Sequence, residues 1–137
     1  MKLTYPAIFY PCEAGEGFVV EVPDLPGCVS EGATFAEALE MGVDAASGWV
    51  LTDLEDGKPV PKASNIKDIK AEEGGFVSML VLDMDSYMEK YGNKAIRKNL
   101  TIPAWLNTFA VANHINFSKV LQDALIGIYK KRTQDQS

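Results

Sequence analysis

The sequence predicts an α+β chain of two modules, and three observations carry that reading. Segments of β-branched and aromatic residues, "LTYPAIFY" and "FVVEV" first among them, alternate with turn signals near the start. From residue 35 to about 54 the apolar residues then recur at three- and four-residue steps, the period of a helix with one buried face. The charge also changes sign along the chain: residues 1–92 hold 6 basic against 17 acidic side chains, a net of −11, whereas residues 93–137 hold 7 against 2, a net of +5. At 137 residues, 47% apolar and 23% charged, the composition is that of an ordinary soluble globular chain with enough material for one good core or two small ones.

The first module reads β-β-β-α-β. "LTYPAIFY" and "FVVEV" flank the turn "EAGEG" and make a hairpin. "PDLPG" bends the chain, and "CVSEG" adds a third strand. Thr34 and Glu37 have the spacing of a capping box, which starts the long helix. Its stripe is Phe35, Ala38, Leu39, Gly42, Ala46, Trp49, Val50 and Leu54. "EDGKPVPKASN" is a loop by its Gly, Pro and Asn content, "FVSMLVLDM" reads as a buried strand, and "SYMEKYG" as a short helix. "GNK" then forms a hinge, so the modules are expected at 1–92 and 93–137.

The second module reads β-α-α. In "AIRKNLTI" the polar Arg97, Asn99 and Thr101 alternate with Lys98, Leu100 and Ile102, the period of a strand with two unlike faces. Pro103 suits a first helical position, because its missing N–H has no partner there in any case. "AWLNTFAVA" makes a helix with Leu106, Phe109 and Ala110 on one face, and "NHIN" breaks it, with Asn113 and His114 both tolerant of left-handed backbone. Asn116 caps a longer helix whose apolar stripe runs through Phe117, Val120, Leu121, Ala124, Leu125 and Ile128. Trp49 and Trp105 are expected as core anchors, since each sits on an apolar stripe.

A single strand and two helices cannot bury their apolar faces alone. Pairing antiparallel with the same strand of a second chain satisfies the backbone and sets six polar side chains on a two-stranded ribbon, which is the ribbon-helix-helix arrangement. Such a ribbon fits the DNA major groove, where Arg97 can pair with guanine O6 and N7, Asn99 with adenine N6 and N7, and Thr101 with either kind of edge. Asn116, Phe117 and Ser118 at a helix start offer backbone N–H groups to a phosphate, with Lys94, Lys98 and Lys119 adding positive charge. Two-fold symmetry implies a palindromic operator, a homodimer at least, and tetramers where dimers adjoin.

Other chemistries are poorly served. Met1 leads directly into "KLTYPAIFYP", without the regions of a secretory signal, and no apolar run reaches the ~18 residues of a membrane span. A cytoplasmic location is expected. Cys12 and Cys28 form no CxxC pair and read as packing residues; with His114 the only histidine, a zinc centre lacks ligands. Asp24, Asp83 and Asp85 are the candidates for a two-metal nuclease, yet the first strand holds no acid, and "LDMDS" reads as helix-capping groups. No catalytic residue, metal or cofactor is therefore expected.

Beyond the residue chemistry, "RKNLTIPAWLNTFAVANHINFSKVLQDAL" resembles the ribbon-helix-helix module of HicB-family antitoxins. "YPAIFYPCEAGEGFVVEVPDLPGCVSEGATFAEALEMGVDAA", with "PDLPGC" its most specific part, is similar to that family's N-terminal domain. The resemblance implies a partial ribonuclease-H-like fold up to about residue 90, neutralisation of a small HicA-type mRNA-cleaving toxin, and repression of the shared operon. Related modules often carry Gly in the inter-helix turn, where this chain has Asn113 and His114. The acidic first module suits a toxin that must attract RNA phosphate, because complementary potential speeds association. Toxin contacts are placed around Tyr10, Asp24, Leu25, Pro26 and Gly27, although "PDLPG" reads equally well as a rigid turn. The alternative function is a ligand-sensing ribbon-helix-helix transcriptional repressor without a toxin partner, for which no glycine-rich phosphate loop speaks.

Overall fold

A ten-residue strand, β1 (Lys2–Pro11), holds the interior of a four-stranded antiparallel sheet, because its Tyr, Phe and Ile side chains fit a pleated surface covered on both sides. The computed structural model describes residues 1–13 and 15–135. It divides into two units, Met1–Lys94 and Ala95–Ser137.

In the first unit β2 (Phe18–Glu21), β3 (Val29–Gly32) and β4 (Phe76–Asp83) complete the sheet in the order β3-β2-β1-β4. The register sets Phe9 opposite Val20 and Tyr5 opposite Leu80, so the period of two gathers Tyr5, Ala7, Phe9, Val20, Leu80 and Leu82 into one core. α1 (Phe35–Glu55) covers that core with Ala38, Gly42, Ala46 and Val50, four positions at helical spacing. The small residues let the helix lie close: a Cβ on Gly42 would come within 3.2 Å of Val20. At the helix start Thr34 Oγ accepts the Glu37 N–H at 3.1 Å. Each fully buried large side chain here, such as Phe9 or Leu82, contributes on the order of 1.5–3 kcal/mol.

The bend between β2 and β3 is held by its own backbone. Leu25 N–H bonds Val22 C=O at 3.0 Å, and Cys28 N–H bonds Leu25 C=O at 2.9 Å. Gly27 takes φ +82°, which a side chain would resist. The loop before β4 contains a single 3₁₀ turn, Ile66–Asp68, and is tied down at three points. Tyr5 Oη donates to Pro61 C=O at 2.6 Å, Asp24 accepts from Ser64, and the Glu72 N–H donates to Tyr10 Oη at 3.1 Å. α2 (Met84–Tyr91) follows β4 directly.

The structure alters three expectations in this unit. β4 is an edge strand rather than a buried one: Leu80 and Leu82 face the core, while Met79 and Val81 stand exposed. A continuous apolar run cannot distinguish the two situations, since both suit β-branched side chains. Trp49 is half-buried and donates from Nε1 to Pro26 C=O at 3.1 Å, so its role is to pin the turn as well as to pack. Cys28 is buried, which pushes its thiol pKa up, whereas Cys12 is only partly covered.

In the second unit residues 95–103 form neither helix nor strand, and α3 (Ala104–Ala112) and α4 (Phe117–Asp135) follow. The strand expected at 95–102 is absent because a single chain offers it no partner. Pro103 is the N-cap rather than the first helical residue, its C=O accepting from Leu106 and Asn107 N–H at 3.1 Å each. His114 alone takes left-handed backbone, at φ +54°; Asn113 stays at φ −100° and closes α3 by donating from Nδ2 to Phe109 C=O at 2.8 Å. Trp105 is 71% exposed, so it anchors no core within the chain. Among the described residues no helix is long and apolar enough to cross a membrane.

Candidate functional site

The second unit combines three features that single chains seldom show together. The first is a backbone without partners: among the described residues, no N–H or C=O of residues 95–102 meets another backbone group. Such groups in a stable protein pair with something, and here they face solvent. The second is apolar exposure. Ala110 is the one buried residue of the unit among those described, while Leu100, Phe109, Val120, Leu125 and Ile128 are each more than half exposed. The third is a cavity of about 550 Å³ whose walls include Leu100, Ile102, Phe117, Val120 and Leu121.

These features fit one another physically. Leu100 and Ile102 share an alternation face and both line the cavity, as do four residues of the α4 stripe, Phe117, Val120, Leu121 and Ala124. Arg97, Asn99 and Thr101 occupy the other alternation face and are all exposed. Lys98 shares the alternation face of Leu100 and Ile102, as the pattern predicts, and lines the cavity with them. Asn107 also lines this cavity, and no sequence signal singled it out because it falls on the polar side of the α3 pattern.

The start of α4 is arranged as the spacing predicts. Asn116 Oδ1 accepts the Lys119 N–H at 3.1 Å, and its C=O accepts the Val120 N–H. The N–H groups of Phe117 and Ser118 belong to the first helical turn, the positive end of the helix dipole. Lys119 Nζ lies 3.3 Å from Asp123, an exposed pair at four-residue spacing that a phosphate can displace at little cost. Lys94 belongs to the first unit, where its ammonium sits 3.6 Å from Asp56.

The residues placed around the toxin contact have mostly structural partners. Asp24 accepts from Ser64 N–H at 2.8 Å and Ser64 Oγ at 2.6 Å. Tyr10 Oη accepts from Glu72 N–H, and its ring packs where a Cβ on Gly75 would clash at 2.4 Å. Leu25 is fully buried, which corrects its placement as a contact: an apolar side chain inside a five-residue bend closes the core beneath it. Pro26 and Gly27 remain exposed. The acids considered for metal binding also have local work. Asp83 caps α2 by accepting from Ser86 N–H and Oγ, hydrogen bonds that hold its pKa below the usual value. Asp85 pairs with the Met1 ammonium.

Comparison with known proteins follows the same lines. Residues 5–124 match a family model described as the HicB-like antitoxin of bacterial toxin-antitoxin systems. The chain is similar to a solved toxin-antitoxin complex from Streptococcus pneumoniae, with 27% identity, a TM-score of 0.60, and coverage of 93% of this chain and 99% of that one. It is also similar to a HicA3 and HicB3 toxin-antitoxin complex at 26% identity and a TM-score of 0.50, covering 59% of this chain and 99% of that one. An uncharacterized 14.9 kDa protein of Haemophilus phage HP1 is 36% identical over 95 residues, 69% of this chain and 70% of its own length.

Proposed function

The chain belongs to the HicB-like antitoxin family of bacterial toxin-antitoxin systems, and on that premise we propose that residues 1–92 neutralise a HicA-type mRNA-cleaving toxin while residues 93–137 repress the shared operon. The role is inhibition and occupancy rather than catalysis. Two similar structures are toxin-antitoxin complexes, which supports a toxin partner. The charge of the first module supports it further, since a net −11 attracts a protein built to hold RNA phosphate.

The observation that carries the DNA half of the reading is the unpartnered segment 95–102 with its polar and apolar faces separated. Two such segments zipped antiparallel satisfy both backbones, turn Leu100 and Ile102 into a shared core, and leave Arg97, Asn99 and Thr101 of each copy on one ribbon face. Arg97 and Asn99 then read base edges in a major groove, and the α4 start of each copy, with Asn116, Phe117, Ser118 and Lys119, grips a flanking phosphate. Lys94 and Lys98 add charge to the same interface. The arrangement calls for a palindromic operator and a dimer, with tetramers where two dimers adjoin.

Arg97→Ala and Asn99→Ala test this division of labour. Each is expected to weaken operator binding by about 1–3 kcal/mol in fluorescence anisotropy, with toxin affinity unchanged. Parallel loss of both activities refutes two separable modules.

A further inference from the structure

The free edge of β4 forms one wall of a cleft of about 390 Å³ within the first unit, with α1 and α2 supplying the others. Glu40 and Asp44 of α1 and Asp83 of β4 give it three carboxylates, against the single ammonium of Lys90, which rests 5.2 Å from the Tyr91 ring. Val81 offers an exposed apolar surface there, and Tyr87 stands against the α1 backbone with its hydroxyl 3.0 Å from where a Cβ on Gly48 would sit. The second feature is independent of the acids. Ser47 is the one buried polar residue among those described, at 2% exposure, and it lines the cleft. A hydroxyl on the floor of a cleft can donate to or accept from a group that enters it.

The occupant is constrained by these groups. Three carboxylates beside aliphatic and aromatic walls suit a guanidinium or ammonium on a long stem, whose head meets the acids while its methylenes lie along Val81 and Tyr87. A second copy of the same acidic surface would meet like charge. A nucleic acid would be repelled for the same reason. The unpaired backbone of β4 beside the cleft can in addition receive an extended segment as a further strand. Resting on the proposed antitoxin function, we propose that this cleft is where the toxin docks, taking an arginine- or lysine-bearing segment between Glu40, Asp44 and Asp83 with Ser47 beneath it.

The test uses the full-length chain and a nuclease-inactive form of the toxin encoded beside it, with affinity measured by isothermal titration calorimetry. The double change Glu40→Lys with Asp44→Lys is expected to weaken binding by about tenfold or more, and Val81→Arg, at an exposed position, by a comparable factor. Glu13→Lys with Glu16→Lys alters net charge equally at exposed sites elsewhere and is expected to change affinity by less than about threefold. Operator binding should be the same in all variants, and urea titration followed by circular dichroism should show the first unit folded in each. Equal losses in the two double variants reduce the effect to net charge and overturn the cleft as the site. Wild-type affinity in both cleft variants overturns it too, as does loss confined to Pro26→Lys on the turn. A wild-type chain that fails to bind the toxin at all defeats the antitoxin function itself, a result distinct from the preceding ones.

Discussion

Leu100→Ala probes the pairing on which DNA recognition depends. Leu100 is 67% exposed in the single chain and lines the apolar cavity, so the dimer must cover about two-thirds of its surface. A Leu→Ala change at a covered site costs about 2–5 kcal/mol including the cavity left behind. Taking two-thirds of that range and doubling it for the two copies related by the two-fold gives roughly 3–7 kcal/mol of lost association energy. At about 1.4 kcal/mol per tenfold, the dimer Kd rises roughly 10²- to 10⁵-fold. Sedimentation equilibrium across a concentration series measures this directly, with Thr101→Ala on the polar face as the comparison that should leave the dimer intact. A Leu100→Ala chain that dimerises as tightly as wild type refutes the reasoning, because the apolar face would then lie outside the interface. A wild-type chain that stays monomeric at tens of micromolar refutes it more broadly.

Two further outcomes follow from the first unit. Asp24→Ala removes the acceptor for both Ser64 bonds and is expected to lower unfolding stability by about 1.5–3 kcal/mol in urea titration; unchanged stability with weakened toxin binding would restore Asp24 as a contact residue. Asp83 has its pKa lowered chiefly by the Ser86 backbone N–H and then by the Ser86 hydroxyl, so its stabilising contribution is present above the ordinary carboxylate pKa and is lost as pH falls through the lower folded value. Asp83→Asn should therefore flatten the acid limb of the stability profile, and parallel profiles for the two proteins would contradict the cap.

Some of the architecture was legible residue by residue. The Thr34 cap, the α1 stripe, the strands of the first hairpin and the Asn116 cap all depend on contacts within a few positions of one another, and short-range rules capture them. The edge position of β4 was not legible, because its apolar run states a preference for burial without naming the strand that lies beside it. Leu25 was misplaced for a related reason: proline and glycine mark a turn, but they do not say which of its side chains points inward. The cleft between α1, α2 and β4 draws on residues from 40 to 91, and no local signal joins Ser47 to Asp83.

By itself the sequence determined the order of the strands and helices in the first module, the reversal of charge between the modules, and an alternation at 97–102 that demands two different neighbours. Only the tertiary structure decided that the strand-forming segment finds no partner inside its own chain, that β4 keeps an open edge, and that one buried hydroxyl faces an acidic cleft. The physical reason is range. Propensity and periodicity are properties of neighbours along the chain, whereas an unmet hydrogen bond or an uncovered face is defined by what the rest of the fold fails to bring near.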